Sequence, residues 1–119
     1  MSDSELDFDH LNQYVGGDVD LTKELFGLFQ NQIDIWGKAL SVDTDDEIFQ
    51  NAAHALKGSA QAIGALRLAS LCQKAETMAE QKIKGGQRAA IIQDLEFTIS
   101  RVVAEIKRWE HRQMIKDLG

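Results

Sequence analysis

Apolar residues along this chain recur every three or four positions, and no stretch alternates with the period of two that a half-buried strand requires. The clearest series is Ile92, Leu95, Ile99, Val102, Ile106 and Trp109, whose steps of three and four lay one stripe along a helix packing at a shallow angle. Leu21, Leu25, Leu28, Phe29, Trp36 and Leu40 form a second stripe, flanked by Ile33 and Ile35. Leu68, Leu71, Cys72, Ala75, Met78 and Ala79 form a third. Proline is absent, so punctuation falls to Gly16-Gly17, to Gly85-Gly86 and to the polar run Ser41 to Asp46. Helices are predicted over residues 9–15, 19–41, 45–63, 66–81 and 87–116.

The ends of these segments carry their own signals. Asp7 or Asp9 can cap the first helix and Gly16 can close it, while the second begins after Asp18. Thr44 and Glu47 have capping-box spacing, and Asp45, Asp46 and Glu47 put negative charge at the positive end of the third helix dipole. A break near Gly64 separates the third helix from the fourth. The last helix, at about 30 residues or roughly 45 Å, outruns its neighbours, so the end around His111 to Gly119 overhangs or frays. The predicted fold is all-α, an antiparallel up-and-down four-helix bundle with a short additional N-terminal helix, in one domain over residues 1–119.

Composition narrows the function. A chain that is 44% hydrophobic and 27% charged is ordinary for a globular domain, and at 119 residues it can bury about two-thirds of its unfolded surface. No apolar run approaches a membrane span, and Met1 to Glu5 is acidic where a secretory signal would be basic and then apolar, so a cytoplasmic location is expected. A net charge of −6 opposes a nonspecific grip on nucleic acid. Cys72 is single and lies on an apolar stripe, which makes it a core residue. His10, His54 and His111 are far apart and no Cys or His pair has ligand spacing, so no metal site is expected.

The chemistry gathers on the third helix. At 100° per residue, Gln50, His54, Lys57, Gly58 and Gln61 fall within roughly 60° of His54, while Ile48, Ala52, Leu56, Ser59 and Ile63 point the other way. Glycine in the middle of a helix costs roughly 0.5–1 kcal/mol relative to alanine, so Gly58, one turn after His54, needs a reason. Close approach of another molecule to the imidazole supplies one. Lys57, three residues on, can set its ammonium beside a phosphoryl group on that ring and offset about −1.5 to −2 of new charge.

The stretch Ala53-His54-Ala55-Leu56-Lys57-Gly58-Ser59-Ala60, followed by Ile63-Gly64-Ala65, Leu68, Cys72 and Glu76, resembles the histidine-containing phosphotransfer (HPt) domain, and helix order and lengths fit that family over almost the whole chain. The resemblance implies that His54 Nε2 relays a phosphoryl group between receiver-domain aspartates in a two-component phosphorelay. Lys57 would steady the phosphoryl oxygens and Gly58 would clear the approach, with Gln50 and Gln61 flanking the site. The position that orients the imidazole, often glutamine in the family, is matched here by Glu76. Partners would be response-regulator receiver domains, with that of a hybrid histidine kinase among the candidates, and the receiver would bring the Mg²⁺. Docking would use Leu11, Tyr14, Val15, Phe26 and Ala62 around the histidine. A monomeric phosphoryl carrier without ATP-dependent kinase activity or a cofactor of its own is implied. Two alternatives stay open: the phosphoacceptor domain of a histidine kinase, and a helical adaptor in which His54 does no chemistry.

Overall fold

The computed structural model describes residues 4–118, which form five α-helices and one short 3-10 turn. They are α1 (Phe8–Val15), α2 (Val19–Trp36), α3 (Asp46–Ala62), α4 (Leu66–Glu80) and α5 (Gly86–Leu118), with the 3-10 turn at Gly37–Ala39 between α2 and α3. The long helices form the antiparallel bundle, each packing on the next, with α1 laid against α2. Among the described residues no helix is long and apolar enough to cross a membrane.

Local chemistry sets most boundaries. The Asp7 carboxylate accepts from the His10 amide to start α1, and Asp18 accepts from the Leu21 amide to start α2. Gly16 closes α1 in the left-handed region at φ 57°. The second helix is α-helical only to Trp36, five residues short of the sequence expectation, and a 3-10 turn carries the chain on to Leu40.

The capping box at Thr44 and Glu47 does not form. The Thr44 amide instead closes a turn onto Ser41 O, Asp45 takes the N-cap position, and its side chain makes no capping hydrogen bond. The first turn of α3 is anchored through Asp46 instead. Its Oδ1 accepts from Arg88 of α5 at 2.7 Å, and Lys84 stands 3.5 Å from Oδ2. The Arg88 guanidinium is fully buried and lies over the Phe49 ring, 4.7 Å from its centroid.

The core corrects the reading of α2. Its buried residues are Thr22, Phe26 and Phe29, with Ile33 and Trp36 partly buried, while Leu21 and Leu28 face solvent. Of the expected stripe, Phe29 and Leu40 are buried and Leu25 and Trp36 pack partly buried against the core, so Leu21 and Leu28 fall outside it while Thr22 and Phe26 join it. Thr22 tolerates burial because its hydroxyl donates to Asp18 O at 2.8 Å. Leu11 and Val15 of α1 are also buried, and Phe26 meets Trp109 of α5 edge to face at 5.2 Å. Leu11, Val15 and Phe26 therefore hold the end of the bundle together and offer nothing to a partner.

α3 and α4 make the most extensive interhelical contact among the described residues. Ala52, Ala53 and Ala60 on α3, and Ala69, Cys72, Ala75 and Ala79 on α4, are all buried, with Phe49, Leu56 and Leu68 the larger buried residues of the two helices. Side chains as small as these alanines let two helix backbones approach closely. Burial pushes the Cys72 thiol up to about 12, so it packs as an inert hydrophobe. α5 spans 33 residues and accounts for the 52 Å long axis of the molecule. Its last turns stay helical and largely exposed, although Gln113 is buried.

The residues before α1 strap this end of the bundle. Glu5 is buried against Arg67 of α4 and Arg101 of α5, at 3.1 and 2.9 Å, and its amide donates to Glu105. The Asp7 amide then donates to Gly64 O at 2.9 Å. Gly64 joins α3 to α4 at φ 76°, and a Cβ there would stand 2.6 Å from Asp7 O.

Two outcomes are expected. Gly64→Ala should lower stability by at least about 1–3 kcal/mol, seen as a lower urea midpoint at unchanged slope, because both its φ and the Asp7 backbone oppose a side chain. For Asp46, the hydrogen bond from Arg88 is the largest influence, and together with Lys84 it outweighs burial and holds the carboxyl below its usual value of 3.8. A depressed carboxyl contributes stability above its unfolded pKa and loses it as pH falls through the folded value. Melting temperature should therefore drop on acidification below about pH 4, and Asp46→Asn, less stable at neutral pH, should lose less over that range.

Candidate functional site

Midway along α3, His54 and Lys57 face the α4 residues Gln73, Glu76 and Thr77, which occupy one face of their helix by their spacing of three and four. The close seam between the two helices puts their side chains in reach. Glu76 Oε2 lies 2.8 Å from His54 Nδ1, and Glu76 Oε1 accepts from Lys57 Nζ at 3.0 Å. Lys57 Nζ also donates to Gln73 Oε1 at 2.9 Å, and Gln73 Nε2 donates to Thr77 Oγ1 at 3.2 Å. The imidazole itself is open, with its side chain 68% exposed, whereas the Lys57 and Glu76 side chains are only 19% and 15% exposed.

The protonation of the ring follows from Glu76. Burial alone would raise its carboxyl, but hydrogen bonds from Lys57 and then from His54, with the positive charge of both, prevail and hold it below its usual 4.5. Glu76 is therefore ionised at neutral pH and can only accept. In the neutral imidazole Nδ1 must then carry the proton, which leaves the lone pair on Nε2. The nitrogen with nucleophilic character is the one away from Glu76.

One turn on from His54, the space around Gly58 is open on the side of α2. A Cβ built on Gly58 would meet nothing within 4 Å. The glycine therefore serves no packing within this chain, and it lies in the floor of a groove between α2 and α3 lined by Leu25, Leu28, Phe29, Gln32, Ala55, Ser59 and Ala62. Leu28 is 55% exposed there. Gln50 is half-buried and Gln61 exposed, one and two turns from His54 on its own helix. Of the docking candidates, Tyr14 and Ala62 are exposed, and only Ala62 lines this groove. Leu25, Leu28 and Gln32 also line it, and the two leucines are not told from core by periodicity alone. Among the described residues no group of three His, Cys, Asp or Glu side chains is placed to hold a metal ion.

Known proteins share this architecture. A family model described as the Hpt domain matches residues 20–116. The crystal structure of the histidine phosphotransferase ShpA from Caulobacter crescentus superposes with a TM-score of 0.77 at 22% sequence identity, covering 98% of this chain and 100% of that one. No curated protein matches the chain.

Because Gly58 is helical and its side-chain space is empty, Gly58→Ala should stabilise the fold by about 0.5–1 kcal/mol. A higher urea midpoint at unchanged slope is the expected reading, and a lower one would mean that the glycine serves packing after all.

Proposed function

The chain belongs to the Hpt domain family, and on that premise we propose that His54 carries a phosphoryl group between receiver-domain aspartates in a two-component phosphorelay. The observation that supports this most directly is an exposed imidazole whose Nδ1 is bound to an ionised carboxylate, leaving Nε2 free and facing solvent. In the forward step the Nε2 lone pair forms the N–P bond while the P–O bond to the donor aspartate breaks, its electron pair remaining on that aspartate. The ring gains positive charge as the bond forms, and the Glu76 carboxylate at Nδ1 offsets it. Transfer onward reverses the sequence: a carboxylate oxygen of the acceptor aspartate attacks phosphorus and the N–P electron pair returns to Nε2.

Each neighbour takes a role from its position. Glu76 selects the tautomer and orients the ring. Lys57, held beside the same carboxylate, supplies positive charge to the phosphoryl oxygens, worth more in a partly buried site than in open water. Gly58 leaves room for the receiver's loops, and Gln50 and Gln61 flank the approach. The groove between α2 and α3, with Leu25, Leu28 and Ala62, is the docking surface for the receiver's apolar face. Mg²⁺ belongs with the receiver, while this chain contributes a positioned nucleophile. We read it as a cytoplasmic, monomeric carrier that neither phosphorylates itself from ATP nor binds nucleic acid.

The test is incubation with a phosphorylated receiver domain. The chain should acquire an acid-labile, base-stable phosphate, and His54→Gln should abolish labelling while melting as the wild type does. Labelling retained in that variant would refute the site. Labelling by ATP alone would favour a histidine-kinase phosphoacceptor, and transfer-independent signalling by His54→Gln would favour an adaptor.

A further inference from the structure

We propose that Gln73 is a positioning residue that fixes Lys57 for phosphoryl transfer, an inference that rests on the phosphoryl-carrier reading. Gln73 lies on the exposed side of α4, where a glutamine ordinarily keeps its rotamer freedom and hydrogen-bonds to water. Here both ends of its amide are engaged. Its Oε1 accepts from Lys57 Nζ at 2.9 Å, and its Nε2 donates to the Thr77 hydroxyl at 3.2 Å.

The direction of the amide follows from its partners. An ammonium has only donors, so the oxygen must face Lys57, which turns the nitrogen toward Thr77. Thr77, one turn further along α4, thus holds the glutamine in the orientation that Lys57 needs.

Two anchors constrain Lys57 more than one. A lysine stem has four carbons, and a single carboxylate would leave Nζ free to pivot about it. With Gln73 and Glu76 one turn apart on α4, Nζ is held between two acceptors, and one of its three N–H donors is left over by them. A cation already in place needs no reorganisation when charge arrives on Nε2. The chemistry of Gln73 also matters, since a neutral acceptor orders the ammonium without cancelling its charge. A second carboxylate there would add repulsion toward the phosphoryl group, which brings about −1.5 to −2 of charge.

The experiment compares wild type, Gln73→Leu, Lys57→Ala and the double variant in single-turnover transfer from a phosphorylated receiver domain, with melting curves for each. Gln73→Leu should lower the limiting transfer rate roughly tenfold at unchanged half-saturation by the receiver and near-unchanged melting temperature. In the Lys57→Ala background the same change should have no further effect, because Gln73 acts only through Lys57. Wild-type rates in Gln73→Leu, or effects that simply multiply in the double variant, would overturn the proposal. A second readout needs no receiver: nitrogen relaxation of the Lys57 ammonium should show greater mobility in Gln73→Leu, and unchanged mobility would overturn the inference. Failure of wild type to take phosphate while Lys57 still loosens in Gln73→Leu would instead refute the carrier reading and leave the anchoring of Lys57 standing.

Discussion

The rest of the structure depends on how closely α3 and α4 approach. Both helices turn alanine toward the seam, and a buried cysteine takes the place of a larger residue on α4. Small residues contribute less apolar burial per position than leucine would. What the seam gains is reach: side chains 22 residues apart in sequence meet at 2.8 Å. A leucine at the fully buried Ala75 or Cys72 would overpack the seam, at a cost of about 1–3 kcal/mol, and push the backbones apart. Gly64 serves the same geometry from the end, because the turn it makes brings α4 back against α3 and accepts the strap that begins at Glu5.

The electrostatics follow from that proximity. One carboxylate serves two donors, with Oε2 on the imidazole and Oε1 on the ammonium, so the ring tautomer and the placement of the cation are coupled through a single group. An amide at position 76 could accept from Nδ1 but would offer its other end as a donor, which Lys57 cannot use. The carboxylate therefore suits a site in which the lysine is tied back in the resting state. Its negative charge is balanced by the ammonium, and Gln73 adds an acceptor without adding charge.

Much of this was legible in the amino-acid sequence because helices advertise themselves by period. The His54, Lys57 and Gly58 face follows directly from 100° per residue, and the α5 stripe is nearly unbroken. Periodicity could not say which edge of the α2 stripe is buried. Leu21 and Leu28 of the expected stripe face outward while Thr22 and Phe26 beside it are buried, Phe26 against Trp109 and Leu28 left to the groove beside α3. Nor could it find contacts that cross the chain between charged residues. Glu5 with Arg101, and Asp46 with Arg88, are separated by most or about a third of the sequence and carry no local signature. The capping box at Thr44 looked sound locally, but Arg88 recruits Asp46 and the first turn is secured from outside. Gln73 was hidden for a related reason, as an exposed glutamine looks ordinary until its two partners are in place.

The side of α3 that faces α2 differs from the side that faces α4. Toward α4, the Nδ1 of His54 and the side chains of Lys57, Gln73 and Glu76 all have partners. Toward α2 there is a groove with an empty volume over Gly58 and an exposed Leu28 at its rim. A folding domain gains nothing from leaving that volume open, since an alanine would fill part of it and favour the helix. On the proposed carrier reading the two sides would divide the work: the α4 side would fix the ring, its proton and its counter-charge before any encounter, and the α2 side would be left for a second molecule to complete. Nε2 sits between them, held from one direction and reachable from the other. On that reading the stability forgone at Gly58 would be the cost of access to the ring.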